Sequence, residues 1–171
     1  MECRNVVIVD ACRTAVGKMG GACKPLSALD MACATIRGNL DRSGIDPAEI
    51  DEVILGQCRQ TSDEPNIARV AALRSGIPES CPAYTVMRQC ASGMTAVQNA
   101  VMSIMAGVND CVIAGGTESM SNAVFYVRNA RWGVGTGTTE FVDALTEGQF
   151  KSQPEETYGR YNLGATAERV A

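Results

Sequence analysis

The sequence predicts an α/β fold: a mainly parallel sheet in a layered arrangement, with helices on both faces. Three observations predict it. Short β-branched runs alternate with helix-length amphipathic segments as far as Ser121. Capping residues open the helical segments and glycines close them. The 171 residues are 46% apolar and 20% charged, the balance of a globular domain with a real core rather than a disordered chain.

Each element follows from its residues. Asn5 to Val9 is a β-branched run that reads as a strand buried on both faces. Ser27 to Ser43 reads as a helix: Ser27 and Asp30 have capping-box spacing, Leu29, Cys33, Ile36 and Leu40 share a face, and Gly44 stops it. Asp46-Pro47 opens a short helical turn, and Glu52 to Gln57 is a second strand. Asn66 to Ser75 is a helix closed by Gly76 and Pro78. Ala83 to Met87 is a third strand and Ala91 to Ala106 a third helix, in which Met102 and Met105 read as core residues. Asp110 to Ala114 is a fourth strand, running into Gly115-Gly116. After Ser121 the alternation ends, so residues 1–121 and 122–171 are expected to be separate domains, and Ala167 to Ala171 looks like the start of a helix.

Composition excludes several function classes. The net charge of −4 and the absence of any basic block argue against nucleic acid as a partner. Zero histidines exclude a complete Ser-His-Asp triad, a Cys-His pair or a His-ligated metal site within the chain, so no metal is expected. The uncharged stretch from Gln89 to Asn109 holds too many polar residues for a membrane span. Eight cysteines include no pair with CxxC spacing, and several lie in apolar runs. With no signal-peptide pattern at the N-terminus, the expected setting is the reducing cytoplasm, most thiols being buried.

Cys90 is the sharpest candidate for chemistry. It stands at a strand-to-helix turn, where the positive end of the helix favours a thiolate. Ala91, Ser92 and Gly93 are small and leave room for a substrate, and the Cys90 backbone N–H could face an oxyanion. The same logic places serine at the nucleophile elbow of hydrolases. Equally, Cys90 is one of eight cysteines, and a buried structural thiol is the alternative. Gly133 to Gly137 is glycine-rich but follows no strand, and Gly17-Lys18 precedes Met19, so neither makes a phosphate loop. Glu118, just past a strand end, reads as a structural carboxylate that binds backbone N–H groups at the turn.

The stretch Cys90-Ala91-Ser92-Gly93-Met94-Thr95-Ala96-Val97 resembles the signature around the acylated cysteine of the thiolase family, the acyl-CoA C-acyltransferases. Arg13-Thr14 with Gly17-Lys18 and Gly20-Gly21, then Leu26-Ser27-Ala28, Asp51 to Gly56 and Asn66 to Leu73 resemble family motifs in family order. So do Ala114 to Ala123, Ala130 to Gly133 and Leu163 to Glu168, and the resemblance covers essentially the whole chain.

This resemblance implies an enzyme in which Cys90 attacks an acyl-CoA thioester and holds the acyl group. A second acyl-CoA then attacks it to give a 3-ketoacyl-CoA, or CoA reverses the step. Coenzyme A thioesters are substrates, and no cofactor is bound. In the family the activating histidine, a second cysteine and most oxyanion donors lie in the C-terminal half, as does a later strand of the layered core. The chain is therefore expected to hold an incomplete N-terminal half, with no turnover of its own. Residues 122–171 would begin the loop domain for substrate binding and oligomerisation. Segment 123–143 corresponds to the oligomer-forming loop, implying a homodimer or tetramer. The chain departs from the family at Met87 (usually Asn), Ala15 (usually Pro) and Asn162-Leu163 (His-Met in some members). Leu163 would then lie near the acyl end of the substrate. A non-catalytic or split-subunit chain that needs a C-terminal partner is the alternative.

Overall fold

The structure, a computed structural model, describes residues 4–171. The chain forms two compact units, the first ending at Ser121 and the second spanning Asn122–Ala171.

The first unit is built on three parallel strands: β1 (Glu52–Gly56), β2 (Ala83–Val86) and β3 (Val112–Gly116), in the order β2-β1-β3. Helices α1 (Ala28–Ser43) and α2 (Ile67–Arg74) cover one face, and α3 (Ser92–Met105) covers the other. The central strand alternates between the two. Val53 and Leu55 pack with Leu29, Ile36 and Ile67 of α1 and α2, while Ile54 packs with Ala96 and Ala100 of α3. Val53 and Ile54 are fully buried. Burying each such side chain stabilises the fold by about 1.5–3 kcal/mol.

Local chemistry fixes these elements. The Ser27 hydroxyl accepts from the Asp30 N–H and the Asp30 carboxylate accepts from the Ser27 N–H, both at 3.0 Å, completing the expected capping box. Gly44 ends α1 in the left-handed region (φ 69°), and its N–H donates to the Leu40 carbonyl. Asn66 caps α2: its Oδ1 accepts from Arg69 N–H and the Thr85 hydroxyl, and its Nδ2 donates to the Ala83 carbonyl, so one side chain joins α2 to β2. The Asp51 carboxylate accepts from the N–H groups of Asp110 (2.7 Å) and Cys111 (2.9 Å), which locks the start of β1 beside β3. Those two hydrogen bonds hold the Asp51 carboxyl below the ordinary carboxylate range.

The structure corrects four expectations. Asn5 to Val9 forms no strand, and Val7, Ile8 and Val9 are exposed. A β-branched run needs a partner ladder, and a groove of ≈360 Å³ lies between Asn5–Cys12 and the outer edge of β3. The last strand begins at Val112 instead of Asp110, because the amides of Asp110 and Cys111 are taken by Asp51. Met102 and Met105 are exposed. At about 100° per residue they fall on the side of α3 away from the Ala96–Ala100 stripe that meets the sheet. Finally, only Cys33 and Cys81 are buried among the seven described cysteines, all of them free. No helix of the described residues is long and apolar enough to cross a membrane.

In the second unit, β4 (Phe125–Tyr126) pairs antiparallel with β5 (Val142–Asp143). Helices α4 (Ala144–Phe150), α5 (Glu155–Tyr158) and α6 (Leu163–Val170) follow. Asp143 caps α4, and Glu147 on α4 pairs with Arg128 at 3.0 Å and with Arg160 at 3.6 Å. The final helix starts at Leu163, four residues before the predicted start, because Asn162 provides the cap by accepting from Ala165 N–H.

The low-titrating Asp51 contributes stability that is complete above the unfolded carboxylate value and is lost as pH falls through its folded value. Asp51→Asn is therefore expected to lower the urea midpoint at pH 7 and to flatten its decline between pH 5 and pH 2, roughly the carboxylate titration range. Urea titrations across that range check it. Parallel curves for the variant and the parent would refute the assignment.

Candidate active site

The carboxyl ends of the three strands converge on the first turn of α3. Gly56 of β1 is in register with Val86 of β2 and Gly116 of β3. A Cβ on Gly56 would come within 2.3 Å of the Ser92 carbonyl carbon and 2.4 Å of the Gly93 nitrogen. A Cβ on Gly116 would meet Gly93 Cα at 3.3 Å. Glycine at Gly56 is thus what lets β1 carry the helix start directly on its end.

The chain between β2 and α3 is a tight elbow. Gln89 takes φ 49°, a left-handed conformation uncommon for a residue with a Cβ. Buried Ser92 holds that turn closed: its hydroxyl donates to the Gln89 carbonyl at 2.6 Å and accepts from the Arg88 N–H at 2.8 Å. No side chain caps α3. Cys90 follows the strained residue directly and is the one exposed cysteine among the described residues.

Cys90 opens into a pocket of ≈270 Å³, shared with Gln57, Cys58, Gln89, Ser92 and Glu118. Glu118 binds backbone N–H groups as expected, but those of the loop after β1 instead of its own turn. Its carboxylate accepts from the N–H groups of Cys58 (2.8 Å) and Arg59 (3.2 Å), tying the loop after β1 to the end of β3. Cys58 donates to the Gln89 carbonyl at 2.7 Å and lies 3.8 Å from the Ser92 hydroxyl. Burial pushes the Cys58 thiol up, as does the negative charge of Glu118. Gln57 is 4% exposed, and its Oε1 takes no hydrogen bond from the described residues.

Sequence reasoning singled out neither Gln57 nor Cys58. The available signal was topological: both follow β1 at the sheet end that carries Glu118 and Cys90. Two further motifs meet elsewhere in the same unit. Arg13 to Lys18 and Ala114 to Ser121 line one cavity of ≈420 Å³. Leu163 belongs to the second unit, where it is the first residue of α6 and exposed. The residues Gly133 to Gly137 are exposed, with φ 99° at Gly133 and 112° at Gly137. No cluster of His, Cys, Asp and Glu suited to a metal ion occurs among the described residues.

Comparison with known proteins decides the family. The model of the thiolase N-terminal domain matches residues 6–171. The chain belongs to the thiolase family. It is 39% identical over 167 residues to a "Probable acetyl-CoA acyltransferase" of Staphylococcus aureus strain COL, covering 98% of this chain and 42% of that protein. A protein of the same description from Staphylococcus epidermidis strain ATCC 12228 is 39% identical over 166 residues, 97% of this chain and 41% of its own length. The crystal structure of the Bacillus anthracis acetyl-CoA acetyltransferase superposes with a TM-score of 0.90 at 39% identity. It covers 99% of this chain, which spans 42% of the other. The layered α/β fold of this thiolase N-terminal domain is thereby shared with a solved relative.

Exposure and burial separate the thiols of this thiolase domain. Burial, reinforced by Asp51, raises the Cys111 pKa. Cys90 is expected to alkylate roughly tenfold or more faster than Cys111 at neutral pH, since the thiolate is the reactive form. Iodoacetamide labelling of the folded chain, read by peptide mass, checks this. Equal rates would remove the basis for singling out Cys90.

Proposed function

We propose that this chain carries the nucleophile of an acyl-CoA C-acyltransferase that forms or cleaves acetoacetyl-CoA or another 3-ketoacyl-CoA. The observation that carries the reading is Cys90: an exposed thiol one residue past a strained elbow, at the N-terminus of a 14-residue helix. The Cys90 sulfur attacks the thioester carbonyl, CoA thiolate leaves, and the acyl group stays on sulfur as a new thioester. The α-carbanion of a second acyl-CoA attacks that thioester and expels Cys90; CoA attacking a 3-ketoacyl-CoA runs the sequence backwards. The N–H groups of Ala91 and Ser92 are taken by the carbonyls of Arg88 and Gln89, so the proposal leaves the oxyanion donors to the Cys90 N–H and to groups outside the elbow.

Both halves need acid/base groups that can shuttle a proton near neutral pH. The chain holds no histidine. The proposal therefore takes those groups from outside these 171 residues, from the rest of a longer polypeptide or from a partner chain. The groove beside β3 supports this, because β3 is an edge strand of the described sheet and can pair with an added strand. Acyl-CoA is the substrate in this reading, with no bound cofactor. Segment 123–143 contributes to a dimer or tetramer in this reading. The second reading is a thiolase-like binding subunit that never turns over.

Incubation of the chain with acetyl-CoA, followed by peptide mass analysis, tests the proposal. Slow acetylation of Cys90 is expected, none in Cys90→Ser, and no acetoacetyl-CoA from the chain alone. Acetyl transfer that survives Cys90→Ser would overturn the assignment. An unlabelled Cys90 in a well-folded chain supplied with a His-bearing C-terminal partner would favour the binding subunit.

A further inference from the structure

The second thiol in the Cys90 pocket has no part in the acyl chemistry. Cys58 sits on the loop after β1, and its sulfur is hydrogen-bonded at 2.7 Å to the carbonyl of Gln89, the residue joined to Cys90. The two cysteines line the same ≈270 Å³ pocket. Three features fix Cys58 there. Glu118 holds its backbone N–H at 2.8 Å. Gly56, two residues earlier, rests against Ser92 and Gly93. The Ser92 hydroxyl lies 3.8 Å from its sulfur. Cys90 is exposed while Cys58 is half-buried, so a solvent-borne oxidant meets Cys90 first.

We propose that Cys58 is a resolving thiol for Cys90, so that peroxide converts the pair into a reversible Cys58–Cys90 disulfide that caps the nucleophile. In the first step the Cys90 thiolate attacks a peroxide oxygen. An S–O bond forms, the O–O bond breaks and hydroxide leaves; the sulfur is oxidised to a sulfenic acid and the peroxide is reduced. In the second step the Cys58 sulfur attacks the Cys90 sulfur. The S–S bond forms, the S–O bond breaks, and the leaving hydroxide with the Cys58 proton makes water. The Glu118 carboxylate, which the Cys58 loop encloses, is a base at hand for that proton. A dithiol reductant reverses the bond by exchange. No other described cysteine lines that pocket, so without Cys58 the sulfenic acid of this chain proceeds under excess peroxide to sulfinic acid, which dithiols do not reduce. The inference rests on the reactivity of Cys90 assumed above, and not on acyl transfer.

The test treats the 171-residue chain with hydrogen peroxide at neutral pH, blocks remaining thiols and maps peptides under non-reducing conditions. The expected product is a linked pair of peptides carrying Cys58 and Cys90, lighter by two hydrogens and separated by dithiothreitol. In Cys58→Ser, dimedone should trap Cys90 as sulfenic acid, and Cys90 alkylation should recover far less after reduction. Oxidation of Cys90 with Cys58 still alkylatable, or pairing of Cys90 with any other cysteine, would overturn the proposal. The parent chain alone decides this, whatever the folding of the variant. A chain that forms the bond yet takes no acetyl from acetyl-CoA when supplied with a His-bearing C-terminal partner would leave this inference standing and reject the acyltransferase reading.

Discussion

The site depends on one close approach, the backbone of Gly56 against the first turn of α3. A strand end and a helix start can meet this closely only where the strand residue has no side chain, since a Cβ there would overlap Ser92 and Gly93 at under 2.5 Å. The parallel register then brings the ends of β2 and β3 to the same point. The loops that leave those ends have nowhere else to go. They supply Gln57 and Cys58 from one side, Glu118 from another and the Cys90 elbow from the third.

That geometry stores strain where chemistry is proposed. The chain must turn from β2 into α3 within a few residues, and Gln89 adopts positive φ to do so, at a cost of order 1–3 kcal/mol. Ser92 offsets part of it with two hydrogen bonds across the turn. Glu118 performs the parallel task for the neighbouring loop. The result is a thiol held outward while its surroundings are fixed, a preorganised arrangement rather than a mobile one.

Much of this was legible in the residues. The Ser27–Asp30 box, the apolar stripe of α1 and the Asp46-Pro47 turn are local features, and local features transfer from sequence to structure with little change. The position of Cys90 at a strand-to-helix turn was legible for the same reason, whereas the backbone N–H groups that Glu118 binds lie some 60 residues away on the loop after β1. The failures are non-local. A β-branched run such as Asn5–Val9 looks the same whether or not a partner strand lies beside it. Met102 and Met105 have core-like side chains, and only the packed Ala96–Ala100 stripe decides which side of α3 faces the sheet. Cys58 looked like any other cysteine, because its proximity to Cys90 spans 32 residues of chain and depends on the sheet order.

The most direct measurement is the rate of Cys90 alkylation in Gly56→Ala beside Gly115→Ala. The added methyl at Gly115 would meet only Leu55 Cδ2 at 3.8 Å, an ordinary contact. If the approach at Gly56 builds the site, Gly115→Ala keeps the parent rate, and Gly56→Ala falls to the rate of the same cysteine in an unfolded chain. A Gly56→Ala protein that alkylates as the parent does would contradict the account.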